Sequence, residues 1–281
     1  MTAPALVSES VGYVSRFFTL AGRSCARIVR RPSHSRRTEA ARRSARHALQ
    51  LAAIVGLAII GSMYLLDVPE ISLMPKRGAP DLWPVRILTD FGKDVYVLSA
   101  IAVLLIVVAI AAPARKGMQR SLLLGLGTRL QFLFCAVLVS VLAGELIKYV
   151  VGRGRPFVGG QANAFNFSHF AGTEAYASFP SGHATTAFAL AFAVSALWPR
   201  ARIAMIAYAL VIAATRLVLL AHHPSDVVAG ALVGTIGAMA VRYWFAARRL
   251  GFAIERDGTI VPLSGPSMDR LKGVARGAFA P

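Results

Sequence analysis

Residues 95–113 read VYVLSAIAVLLIVVAIAAP, an apolar run without a charged residue. A helix needs roughly 20 such residues to cross the hydrocarbon core of a membrane, so this run predicts a transmembrane helix. Further apolar stretches of similar length lie on both sides of it. The chain therefore predicts an all-α, polytopic membrane bundle of six spans, at residues 49–67, 95–113, 131–151, 181–198, 202–221 and 226–245.

The composition agrees with a membrane protein. Hydrophobic residues make up 56% of the chain and charged residues only 16%, whereas soluble domains carry about 25% charged residues. The net charge is +18, which in a soluble protein would indicate nucleic-acid binding. Here most Lys and Arg residues fall in segments that are cytoplasmic if the N-terminus is inside, as in other membrane proteins. We therefore expect both termini in the cytoplasm and no nucleic-acid partner.

The charge pattern divides the chain into three parts. We predict an Arg-rich cytoplasmic tail over 1–48, a six-span membrane domain over 49–245, and a weakly structured cytoplasmic tail over 246–281. Within the first tail, apolar residues recur at helical spacing. That recurrence fits a short interfacial helix drawn to anionic lipid, and a disordered tail is the alternative. The recurring residues are Val7, Val11, Val14 and Phe18.

The cysteines and acidic residues indicate neither a disulfide framework nor a metal site. Cys25 lies in the basic tail and Cys135 in an apolar run, with no CxxC motif. His, Cys and acidic residues show no zinc-ligand spacing, and no Gly-rich nucleotide loop of the Walker type is present. We therefore expect no metal and no cofactor.

Ionisable residues are costly in membrane spans, and several occur at the predicted outer ends of spans three to six. A set of charges at one membrane level indicates a functional site. Three cations can surround one phosphate and neutralise the charge of its transition state. Two histidines on different spans can divide nucleophilic attack and protonation of the leaving oxygen. The set comprises Lys148, Arg155, Ser181, Gly182, His183, Arg216, His222 and Asp226.

The spacing within this set resembles a known signature. Lys148-x6-Arg155-Pro156, then Pro180-Ser181-Gly182-His183, then Arg216-x5-His222-x3-Asp226 is similar to the three motifs of the type 2 phosphatidic acid phosphatase superfamily. That superfamily includes lipid phosphate phosphatases, bacterial acid phosphatases and vanadium haloperoxidases. The resemblance covers about residues 95–245. One departure is Thr215, where the family usually has Ser, and Thr keeps the hydroxyl.

The resemblance implies a role for each matching residue. His222 would be the nucleophile, His183 the general acid that later activates water, and Asp226 the residue that orients His222. The implied phosphate-binding residues are Lys148, Arg155, Ser181, Gly182 and Arg216. The family chemistry needs no metal, in agreement with the spacing above.

We also predict the location or role of five residues outside this set. We expect His222 rather than the adjacent His223 to be the nucleophile, because of its distance from the third-motif arginine. His169 is expected to be a solvated loop residue, and Arg153 either meets a headgroup or faces water. Lys93 is expected in a turn before the second span, with binding of a lipid phosphate as the alternative. Glu145 is expected to form a structural ion pair one helical turn from Lys148.

Together these features predict a lipid phosphatase of the bacterial inner membrane. It would hydrolyse a lipid phosphomonoester or diphosphate through a phosphohistidine intermediate, with its site on the periplasmic side. By resemblance the candidate substrates are undecaprenyl diphosphate, phosphatidylglycerophosphate, phosphatidic acid and a lipid A phosphate. The alternatives are a lipid phosphotransferase with the same intermediate, a vanadate-dependent haloperoxidase, and a non-catalytic membrane protein.

Overall fold

The computed structural model describes residues 3–76, 78–156, 158–160 and 162–263, with side chains from residue 12 onward. Its helices, in chain order, are α1 (Ala3–Val29), α2 (Arg37–Leu65), α3 (Asp67–Leu73), α4 (Trp83–Asp90), α5 (Asp94–Ala114), α6 (Gly117–Val151), α7 (Gly182–Leu197), α8 (Arg202–Val218) and α9 (Pro224–Ala247). Short 3₁₀ turns occupy Pro80–Leu82, Glu174–Tyr176 and Pro199–Ala201. A small antiparallel hairpin follows α9, formed by β1 (Phe252–Ile254) and β2 (Ile260–Pro262).

All six predicted apolar stretches fall on helices. Five segments are long and apolar enough to cross a membrane, namely Arg37–Leu65, Pro80–Ala114, Gly117–Val151, Pro199–Val218 and Pro224–Ala247. The stretch predicted at 181–198 corresponds to α7, which has 16 residues. Such a helix is about 24 Å long, less than the ~30 Å of a hydrocarbon core. The chain is thus a predominantly helical bundle suited to a membrane, and the count of six crossings stays a prediction.

Helix α7 lies among α6, α8 and α9, and small residues bring α9 close to it. A Cβ atom on Gly230 would lie 2.5 Å from the Ser181 carbonyl oxygen, and one on Gly234 would lie 2.3 Å from the Thr185 carbonyl oxygen. Only glycine permits this approach, which is the contact expected of a Gly-x3-Gly pair between membrane helices. The contact sets the distance between the second and third motifs.

The N-terminal region is helical rather than disordered over residues 3–29, and its helix is longer than the short one predicted. Helix α1 is tied to the bundle, because Tyr13 Oη donates to the Ile110 carbonyl (2.7 Å) and Gln131 Nε2 donates to Ser24 Oγ (2.8 Å). Val14 and Phe18 are exposed, while the side chains of Val7 and Val11 lie outside those described. An interfacial location for this helix stays a prediction.

The C-terminal region departs from the weak structure predicted for it. Residues 252–262 form the hairpin, and Phe252 packs with its ring centroid 4.8 Å from that of Phe132 on α6. Ile254 and Ile260 are buried in the same apolar cluster. These side chains cover the core where α9 ends, so burial stabilises strands that show little pattern in sequence. Residues 264–281 of the predicted tail lie outside the described residues.

Candidate active site

Four helices bring the predicted site together at one end of the bundle. Helices α6 and α8 end there, and α7 and α9 begin there. Their termini surround a cavity of about 170 Å³. Six of the predicted site residues line it, namely Lys148, Arg155, Gly182, His183, Arg216 and His222. Ser181 and Asp226 are fully buried and lie outside this lining.

Lys148 reaches the cavity from the last turn of α6. Its Nζ atom pairs with Glu145 one turn earlier, as the spacing predicts, and Glu145 also lines the cavity. A Cβ atom on Gly182 would lie 3.0 Å from Lys148 Nζ. The glycine therefore lets the ammonium group lie against the start of α7, where first-turn amide groups favour an anion.

Arg155 and Arg216 are each held by a different part of the chain. Arg155 Nη2 lies 3.3 Å from Glu174 Oε1, in the loop before α7. Arg216 Nη1 donates to Thr89 Oγ1 at 2.8 Å, and Thr89 also accepts a 3.0 Å bond from Thr215. The hydroxyl retained at Thr215 thus contacts the residue that fixes Arg216. No local pattern in the sequence indicates Thr89, since it is 127 residues from Arg216.

His222 has a geometry suited to a nucleophile. Its Nδ1 atom lies 2.9 Å from the Ser178 carbonyl oxygen, which can only accept, so Nδ1 carries the proton and Nε2 has the free lone pair. Burial lowers the pKa of His222 well below its usual range, and the charges of Arg216, Arg155 and Lys148 lower it further. The ring is therefore neutral at neutral pH, as attack by Nε2 requires.

Several buried polar atoms near the cavity have no hydrogen-bond partner among the described residues. They are His183 Nε2, Ser181 Oγ and Arg216 Nε. Burying such atoms unpaired costs about 1–3 kcal/mol each. Two of these atoms, His183 Nε2 and Arg216 Nε, belong to residues that line the cavity. A ligand with several acceptor oxygens would satisfy the donors among them.

Asp226 makes no direct hydrogen bond to His222, the residue that the resemblance expects it to orient. Its Oδ2 atom is 3.9 Å from His222 Nδ1, too far for a hydrogen bond. The same oxygen accepts from Ser178 Oγ (2.6 Å) and from the backbone amide of His223 (2.9 Å). Asp226 therefore reaches His222 indirectly, because the residue it holds, Ser178, presents the carbonyl that binds the imidazole.

Arg153 neither meets a headgroup nor faces water, so both expectations for it are wrong. Its guanidinium is 1% exposed and pairs with Asp226 Oδ1 (2.6 Å) and Asp67 Oδ2 (2.7 Å). Asp67 also accepts from the amide (3.0 Å) and the hydroxyl (2.5 Å) of Ser225. The left-handed backbone of Gly152 ends α6 and turns the chain inward at this point.

One feature of the sequence points to Asp67. It is an acidic residue at the end of the first predicted span, and a charge at membrane level indicates a function. Its partner could not be predicted, since Arg153 lies 86 residues away.

The remaining expectations mostly agree with the structure. His222 lines the cavity and His223 does not, although both are buried. His169 is exposed in the loop after α6. Lys93 lies in the turn between α4 and α5, as predicted, and pairs with Asp90 at 2.7 Å. The expectation of no metal stays a prediction; within the described part of the chain, no three His, Cys, Asp or Glu side chains are grouped so that they could hold a metal ion.

Comparison with known proteins identifies the family of the chain. The family model described as the PAP2 superfamily matches residues 129–250. The chain is 35% identical over 206 residues to a lipid A 1-phosphatase of Rhizobium johnstonii, covering 72% of this chain and 82% of the relative. It is 34% identical to a lipid A 1-phosphatase of Rhizobium etli, covering 72% and 86%. No solved structure is significantly similar to the chain. With all three motifs around one cavity, the chain belongs to the PAP2 superfamily, the type 2 phosphatidic acid phosphatases.

Proposed function

We propose that this protein is a membrane phosphatase that transfers a phosphoryl group from a lipid to His222 and then to water. The observation that carries the proposal is the cavity in which a neutral, oriented histidine faces a second histidine and three cations. Its volume of about 170 Å³ admits a phosphate group but not a whole lipid. The lipid body would therefore remain outside the cavity.

In the first step, the lone pair of His222 Nε2 attacks phosphorus and the bond from phosphorus to the ester oxygen breaks. His183 donates a proton to the departing oxygen, which leaves as the lipid hydroxyl. Lys148, Arg155 and Arg216 stabilise the negative charge on the three equatorial oxygens. The Ser178 carbonyl stabilises the positive charge that His222 acquires.

In the second step, His183 is the base. It takes a proton from a water molecule as the water oxygen attacks the phosphohistidine. The bond from phosphorus to Nε2 breaks, inorganic phosphate leaves, and His222 regains its lone pair. No group of the protein changes redox state, and none of the steps requires a metal ion.

We further propose a lipid A phosphate as the substrate, ahead of the other candidate lipids. Two relatives that cover more than two thirds of the chain are named lipid A 1-phosphatases. A glycolipid phosphate at the periplasmic face of the inner membrane would meet a cavity at the membrane end that the charge pattern predicts to be periplasmic.

The test is phosphate release by detergent-purified protein from lipid A, undecaprenyl diphosphate, phosphatidylglycerophosphate and phosphatidic acid, with and without EDTA. We expect release from lipid A that survives EDTA. His222→Ala should lose at least about 10⁴-fold in kcat, as removal of a nucleophile does. The exposed His169→Ala is the matched control and should retain wild-type turnover.

Each other outcome has a distinct meaning. Release that persists in His222→Ala would refute the nucleophile, and release that stops with EDTA would refute the metal-free mechanism. Preference for another lipid would refute the substrate alone. Transfer of the phosphate to added glycerol, in place of free phosphate, would identify a phosphotransferase.

A further inference from the structure

A second cavity lies toward the opposite end of the bundle, between α7, α8 and α9. Its volume is about 190 Å³. Its walls are mainly apolar, with Phe188 and Phe192 from α7 and Ile206 from α8. Ile206 is 47% exposed, so the groove opens at the bundle surface. Arg202, at the start of α8, is the charged residue of its lining.

A second arginine adjoins the groove. The Arg242 guanidinium carbon lies 4.9 Å from the centroid of the Phe192 ring, which fixes the side chain against the groove wall. Arg242 Nε is buried and has no hydrogen-bond partner among the described residues. Phe192 and Arg202 line the same groove, so both arginines adjoin it.

The segment that forms α7, α8 and α9 provides no carboxylate near Arg202 and Arg242. Between residues 180 and 250 the only acidic residue is Asp226, which begins α9 about 24 Å along the helix from Arg242. Neither arginine forms an ion pair within the described residues. The buried Nε atom of Arg242 is costly to leave without an acceptor, and basic pockets between membrane helices suit anionic headgroups.

We propose that this groove binds an anionic phospholipid, with the headgroup phosphate between Arg202 and Arg242 and an acyl chain along Phe188, Phe192 and Ile206. The site is separate from the catalytic cavity and lies at the Arg-rich end of α7–α9, predicted to be cytoplasmic. A lipid bound there would link α7, α8 and α9, which together line the groove. Its expected effect is on stability rather than on turnover.

The test is thermal unfolding of the full-length, detergent-purified protein with phosphatidylglycerol, phosphatidylcholine or inorganic phosphate. We expect phosphatidylglycerol to raise the wild-type Tm by at least about 2–4 °C more than the other two additives. Arg242→Gln and Arg202→Gln should each lose most of that difference. Arg200→Gln should keep it, because this exposed residue lies two positions before Arg202, in the 3₁₀ turn that precedes α8, and does not line the groove.

The Tm shifts with the three additives are compared within each variant, so a lower starting Tm of Arg242→Gln does not obscure the result. Arg202→Gln provides a second variant in which the altered side chain is more exposed. Equal shifts with phosphatidylcholine, or with inorganic phosphate, would refute an anionic lipid site. So would retention of the full shift in both groove variants. Phosphatase turnover should stay within about twofold of wild type in both, so failure here is distinguishable from failure of the proposed catalysis.

Discussion

Two groups of buried polar side chains lie next to each other at the catalytic end of the bundle, and they differ in how far the protein satisfies them. In the network of Arg153, Asp67, Asp226 and Ser225, both carboxylates accept several bonds and the arginine makes two ion pairs. In the cavity, by contrast, His183 Nε2 and Arg216 Nε have no partner among the described residues.

This difference distinguishes side chains that support the site from side chains that can act on a ligand. A paired network can hold a geometry but has little capacity left for a ligand. Unpaired atoms around a cavity cost stability and are retained where a ligand satisfies them. Ser178 connects the two groups, since its hydroxyl binds Asp226 and its carbonyl binds His222. Removing a residue from the network should therefore affect folding and activity together, whereas removing one from the cavity should affect activity alone.

The largest effect is expected for Arg153→Met. The substitution leaves Asp67 and Asp226 as neighbouring buried carboxylates without their cation, which typically costs about 3–5 kcal/mol. We expect a loss of that size in the free energy of unfolding, measured by chemical denaturation in detergent, together with loss of phosphatase activity. Arg46→Met, at an exposed position of α2, is the control. Unfolding within 1 kcal/mol of wild type would show that the network does not support the site.

Substitution of a cavity residue should lower activity and leave the free energy of unfolding nearly unchanged. Lys148→Met removes one of three mutually repelling cations, and its partner Glu145 has a side chain that is 57% exposed and can be solvated. We expect kcat/KM to fall about 10²–10³-fold, as when a group that stabilises the transition state is lost. The free energy of unfolding should change by less than about 1 kcal/mol.

Lys93→Met is the matched control for this variant. Lys93 also pairs with an acidic residue three positions earlier, Asp90, but it does not line the cavity. Steady-state kinetics of the two variants should differ by at least about tenfold. Similar losses in both would assign the effect of Lys148 to its ion pair rather than to phosphate binding.

The sequence predicted the cavity better than the network, for physical reasons. Hydropathy located the helices, and the three motifs named the residues that meet at their ends. The motif residues Lys148 and His222 line the cavity, and Asp226 is the one network residue that the motifs include. Asp67 and Thr89 act through partners distant in the chain, and no local pattern relates them to Arg153 or Arg216. The Gly230-x3-Gly234 spacing was visible in the sequence and would have predicted the close contact of α7 and α9.

The smallest effect is expected at the edge of the network, where Glu70 is buried beside Asp67. Neither carboxylate oxygen of Glu70 has a partner among the described residues. Burial, with the nearby charges of Asp67 and Asp226, raises the pKa of Glu70 from 4.5 to about 7. The folded state therefore binds a proton that the unfolded state releases between these values. The contribution of Glu70 to the free energy of unfolding is fully present below pH 4.5 and is lost as the pH rises through about 7.

Glu70→Gln should remove that pH dependence, because the amide cannot ionise. We expect the variant to match wild type at pH 5 and to exceed its free energy of unfolding by about 1–3 kcal/mol at pH 8. Glu255→Gln, at an exposed position of the hairpin turn, should show no such difference. Chemical denaturation at both pH values measures the effect. If Glu70→Gln were less stable than wild type at pH 8, Glu70 would be ionised and paired, and the network would extend one residue further than its hydrogen bonds indicate.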